Sequence, residues 1–90
     1  MMQNITVYGA HGCSHTSRTQ TQLRSLSVGY EFVNVDSNPM GWEEVVELNR
    51  GPKVQLPVVV IEGWGTRILS NPDEAQLLTA LTETRVVADV

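Results

Sequence analysis

Cysteine is nearly missing from this sequence: Cys13 is the only one in 90 residues. No internal disulfide can form, which excludes a disulfide framework as the basis of the fold and removes the usual sign of an oxidising compartment. Basic residues are also few, six against ten acidic ones, for a formal charge of −4. They are scattered, so the gathered basic face of a nucleic-acid groove is lacking and nucleic acid is not an expected partner. No apolar run approaches a membrane span, and Met1-Met2-Gln3-Asn4 has neither the basic start nor the apolar stretch of a secretory signal. The expected location is the cytoplasm, with no membrane partner. Low-complexity tracts and blocks of like charge are missing too, so a folded domain is expected rather than disorder, and this length leaves room for one core.

What is present reads as alternating strands and helices. An apolar stretch from Asn4 to Tyr8 predicts a strand that breaks at Gly9-Ala10-His11-Gly12. A helix follows from Ser14 to Ser27, with Thr16, Thr19, Leu23 and Leu26 on one face, and Gly29 is placed to end it. Period-two alternation over Tyr30–Val35 predicts a second strand. Asn38 can cap a second helix that has Pro39 in its first position and Trp42, Val45, Val46 and Leu48 on its apolar side; Gly51-Pro52 closes it. The β-branched run Leu56–Ile61 suits a strand buried on both faces, opened by Pro57. Glu62-Gly63-Trp64-Gly65 turns the chain into a hairpin partner at Thr66–Leu69. Asn71 and Glu74 have capping-box spacing at the start of a last helix anchored by Leu77, Leu78 and Leu81. The expectation is a four-stranded mixed sheet flanked by three helices, one domain over residues 1–84 with an 85–90 tail whose Val86, Val87 and Val90 fray or form an interface.

Cys13 is the residue in this order that can carry chemistry. A strand delivers it to a helix N-terminus, where free backbone N–H groups and the positive end of the helix dipole favour the thiolate, the reactive form. The alternative is a buried structural cysteine, for which the neighbours Gly12, Ser14 and His15 are poor core material.

The element order, with a cysteine after the first strand and a proline opening the third, resembles the thioredoxin fold in its glutaredoxin form. Val7-Tyr8 lies five residues before Cys13, Cys13-Ser14-His15-Thr16 stands in the place of the family's Cys-x-x-Cys, Arg18 follows two residues later, and Gln55-Leu56-Pro57 takes the place of the Thr-Val-Pro that carries a cis proline. With Asn49-Arg50-Gly51 and Leu69-Ser70-Asn71-Pro72 added, the chain is most similar to the mycoredoxin branch, whose members serve a small thiol other than glutathione. The resemblance implies a thiol–disulfide oxidoreductase of cell redox homeostasis. It further implies that Cys13 and Thr16 are catalytic and that Tyr8, Ser14, His15, Arg18, Gln55, Leu56, Pro57, Asn71 and Asp73 bind the thiol and its protein adduct. The implied co-substrate is glutathione, mycothiol or bacillithiol and the implied partners are S-thiolated proteins. The expected state is a monomer, the tail offering a route to a dimer. A cis bond before Pro57 costs only about 0.5–1 kcal/mol relative to trans.

The departures from the family are as informative. Thr16 replaces the second cysteine, which leaves a monothiol route; its hydroxyl either donates to the Cys13 thiolate or bonds its own backbone. Ser14 and His15 replace the usual proline or glycine and tyrosine, and Ala10 stands where many glutaredoxins keep a lysine. Asn71 is either a plain N-cap or a ligand contact, and with Asp73 it forms an anion-friendly corner. Trp64 shields the hairpin or anchors a protein contact. Other readings stay open: a thioredoxin-fold module without turnover, an iron–sulfur cluster shared across a dimer, or zinc or copper held by His11, Cys13 and His15. No metal is expected, because a helix beginning at Ser14 turns His15 away from Cys13 and the pattern departs from Cys-Gly-Phe-Ser.

Overall fold

The computed structural model describes residues 4–49 and 55–86. The expected stop at Gly51-Pro52, the Arg50-Gly51 match and the tail residues Val87 and Val90 lie outside them. Along the chain run β1 (Ile5–Gly9), α1 (Ser14–Ser25), β2 (Glu31–Asn34), α2 (Pro39–Leu48), β3 (Val58–Gly63), β4 (Gly65–Ser70) and α3 (Glu74–Thr84). The strands form one sheet in the order β2-β1-β3-β4. β1 and β2 are parallel, as the crossover through α1 requires, while β3 runs antiparallel to β1 and β4 to β3. This is the mixed sheet expected from the sequence.

Period-two alternation divides the core between the two faces of the sheet. Ile5, Val7, Val59 and Ile61 join Leu23 of α1 and Leu77, Ala80 and Leu81 of α3 on one face. Tyr8, Val58 and Val60 meet Val45 of α2 on the other. The continuous apolar run in β3 is buried on both faces because α1 and α3 cover one face of the sheet and α2 packs on the other. Two expected core residues are instead exposed, Trp42 at 41% and Leu78 at 43%. A ten-residue helix over one face of a small sheet buries a narrow stripe: Gly41 and Val45 occupy it in α2 and Trp42 falls beside it. In α3 the stripe is Leu77, Ala80, Leu81 and Thr84.

The helix ends also refine the expectations. Asn38 caps α2 through a hydrogen bond accepted from the Gly41 N–H at 3.1 Å, with Pro39 in the first turn. α1 ends four residues before Gly29, and Ser27 takes the left-handed conformation at φ 57°. The capping box of α3 is Asp73 with Gln76, each side chain bonded to the other's backbone N–H at 2.8 and 2.9 Å. That is two residues beyond the expected Asn71–Glu74 pair. Thr84 closes α3 as a buried residue, and Val86 packs against the core while its N–H donates to Leu81 O.

One core position works against stability. Thr19 is fully buried on α1, yet among the described residues its hydroxyl has no hydrogen-bond partner. A buried unpaired hydroxyl costs about 1–3 kcal/mol. Thr19→Val, of nearly equal volume, is expected to stabilise the protein by about 1 kcal/mol, read as a higher denaturant midpoint with an unchanged slope.

Candidate active site

Cys13 is the N-cap residue of α1, with extended backbone (φ −83°, ψ 118°), and its thiol is half-buried and free of any disulfide. The turn before it is fixed by the Cys13 N–H donating to Ala10 O at 3.3 Å, and the Cys13 carbonyl accepts from the Ser17 N–H at 3.0 Å. The sulfur therefore sits over the first turn of the helix, where unsatisfied N–H groups point. Its pKa is held below that of an ordinary thiol, first by the Thr16 backbone N–H, then by the Thr16 hydroxyl and to a smaller degree by the His15 N–H. Partial burial and the nearby Asp36 carboxylate oppose this shift.

Thr16 is 1% exposed and packed under Gly9, its oxygen accepts weakly from the Ala10 N–H at 3.4 Å, and its hydroxyl favours the Cys13 thiolate. Thr16→Val keeps the shape and deletes the hydroxyl. We expect its alkylation by iodoacetamide to titrate at higher pH and to run severalfold slower at neutral pH, whereas Thr16→Ser keeps the wild-type profile.

The second half of the site is the loop between α2 and β3. Gln55 is exposed, Leu56 half-buried and Pro57 buried, and the Leu56–Pro57 bond is cis. Two residues at the end of β4 hold this loop: Ser70 Oγ donates to Gln55 O at 2.9 Å, and the Asn71 N–H donates to Pro57 O at 2.7 Å. Asn71 also reaches α1. Its Oδ1 accepts from Arg18 Nη2 at 2.8 Å and lies 3.2 Å from His15 Nδ1, a hydrogen bond in the tautomer that carries its proton there. Asn71 thus links the helix that carries Cys13 to the proline loop, with its own backbone at φ 45°. It is not the cap of α3, because these partners hold its side chain away from the helix.

The remaining expected site residues divide. Ser14 is exposed beside Cys13. Asp73 uses its carboxylate in the capping box. Tyr8 faces α2, where its hydroxyl donates to Glu44 Oε2 at 2.8 Å; burial, and then the bond to and charge of Glu44, push its pKa up to about 12. His11 packs against Phe32 with ring centroids 5.4 Å apart, and His15 is directed at Asn71, so the two imidazoles do not converge on Cys13. Among the described residues no three His, Cys, Asp or Glu side chains form a metal-ligating group. Sequence reasoning missed Asp36, Ser70 and the contact of Gly9 with Thr16. Only Gly9 carried a signal, as a glycine ending an apolar strand directly before the thiol loop.

The glutaredoxin family model matches residues 5–64 of the chain. Among solved structures, the chain is similar to a glutaredoxin from Archaeoglobus fulgidus, at 24% identity and a TM-score of 0.73 over 89% of this chain and 87% of that one. It is also similar to a buckwheat glutaredoxin solved as a complex with glutathione, at 19% identity and a TM-score of 0.70 over 96% of this chain and 83% of the other. No curated protein matches the chain. No helix among the described residues is long and apolar enough to cross a membrane.

Proposed function

Since the chain belongs to the glutaredoxin family, a family of thiol–disulfide oxidoreductases, we propose that it reduces mixed disulfides between proteins and a small thiol by a monothiol route, with Cys13 as nucleophile. The observation that carries this reading is the thiol at the α1 N-terminus, held below its usual pKa by Thr16 where a dithiol enzyme has its second cysteine. The Cys13 thiolate attacks the small-thiol sulfur of a thiolated protein. The old disulfide breaks, the protein thiolate leaves and takes up a proton, and a Cys13–small-thiol disulfide forms. A second small-thiol thiolate attacks that adduct at the sulfur of the bound thiol, releasing the symmetric disulfide and restoring Cys13. Overall, one thiolated protein and one free small-thiol molecule become the protein thiol and the symmetric small-thiol disulfide, so the exchange balances without a metal.

Arg18, His15 and Asn71 supply donors beside the thiol, and Gln55, Leu56 and Pro57 supply the opposite wall. Thr16 stabilises the nucleophile and, in the second step, the departing Cys13 thiolate. We take the thiol to be one other than glutathione, a reading supported by the sequence resemblance to the mycoredoxin branch and by Ala10 in place of a family lysine. Intact-mass measurement after exposure to glutathione, mycothiol and bacillithiol disulfides tests this. The expected result is one adduct on Cys13 that clears with a single preferred reduced thiol and regenerates a thiolated peptide; no adduct, or one that never clears, would mean a thioredoxin-fold module without turnover.

A further inference from the structure

On the face of the sheet covered by α2, an open groove of about 500 Å³ runs between that helix and β4. Leu48, Val60 and Ile68 form its apolar floor, and Glu44, Glu47 and Glu62 stand around it with no basic side chain in the lining. The Tyr8 hydroxyl fixes Glu44 in position. β4 is an edge strand, with no strand beyond it among the described residues. Its side chains alternate: Arg67 is paired with Glu83 of α3 at 3.1 Å on the far face, while Ile68, 47% exposed, faces the groove. The strand runs toward the candidate active site, because Ser70 binds Gln55 and Asn71 binds Arg18.

We propose that the β4 edge and this groove dock an extended segment of the thiolated protein substrate, one that carries a basic and an apolar side chain two residues apart, on the same face. The inference rests on the oxidoreductase reading, since it names the protein class served. An exposed edge offers backbone hydrogen bonds to a further strand, and alternate side chains of that strand enter the groove. The floor takes the apolar side chain and the carboxylates take the cation, without another cation to compete. A second copy of this chain fits poorly, because each copy carries a formal charge of −4 and would bring the same acidic groove to the contact.

The test uses a blocked octapeptide in which lysine and leucine alternate with threonine, and a control with glutamate for lysine. Binding is titrated to the wild type and to Glu47→Gln/Glu62→Gln, while turnover of 2-hydroxyethyl disulfide with the preferred thiol serves as basal activity. The double variant should bind the basic peptide about tenfold more weakly, with a flatter salt dependence, and keep the basal turnover. Equal binding by variant and wild type, or equal binding of the glutamate control, overturns the docking site. So does a wild-type dimer that Ile68→Lys converts to monomer, since the edge then holds a second copy. A wild type that binds the basic peptide through these glutamates but lacks basal turnover removes the oxidoreductase reading and leaves the docking surface standing.

Discussion

Cys13→Ser is expected to give a folded protein whose turnover of thiolated substrates falls to the rate of the small thiol alone. A half-buried side chain that belongs to neither core cluster can lose its sulfur with little consequence for packing, and a change of this kind typically stays within about 0.5 kcal/mol. The chemical loss is complete. The Thr16 and His15 donors that depress the thiol favour an anion at this position, but a hydroxyl ionises far above any working pH and is not a nucleophile toward disulfide sulfur. The two effects are separated by measuring a denaturation curve and a coupled assay on one preparation. Normal turnover by the serine variant would rule out the mechanism, and a parallel loss of stability would assign Cys13 a structural role instead.

Most of the frame was readable in the sequence because strong local signals agreed with one another. Alternation marked the first two strands, an unbroken β-branched run marked the strand buried on both faces, the Glu62–Gly65 turn marked its hairpin partner, and Asn38-Pro39 marked the start of α2. The errors arose where two local choices have equal merit. Asn71–Glu74 and Asp73–Gln76 both have capping-box spacing, and only the folded neighbours decide: Arg18 and His15 hold the Asn71 side chain, leaving Asp73 to cap. Trp42 and Leu78 were expected inside because they are large and apolar, but helix phase set by Val45 and Leu77 puts both at the surface. The site behaved similarly. Cys13 could be picked from its place before a helix, whereas the Asp36 carboxylate that opposes its ionisation comes from the loop after β2. Nothing in linear spacing brings that loop to the thiol.

Gly9→Ala should damage stability and turnover together, because at Gly9 the strand packs closely on Thr16 of the active-site helix. A Cβ on Gly9 would lie 2.5 Å from Thr16 Cγ2 and 2.7 Å from its Oγ1. Threonine is stiff at χ1 in a helix, and this one is buried, so its side chain cannot swing clear. The first turn of α1 has to move as a unit, carrying Cys13 away from the loop at Pro57 that Asn71 holds in place. Overpacking of this kind costs about 1–3 kcal/mol, and a displacement of about 1 Å at a reacting atom lowers turnover on the order of 10²-fold. Pairing the change with Thr16→Ala separates the two causes, since that substitution removes both clashing atoms and also the hydroxyl that supports the thiolate. The double variant should regain most of the stability lost by Gly9→Ala, while its Cys13 alkylates with the higher-pH profile expected of Thr16→Val. Additive losses in stability would mean that strand and helix relax independently, and the close packing of Gly9 on Thr16 would then have no part in setting the thiol.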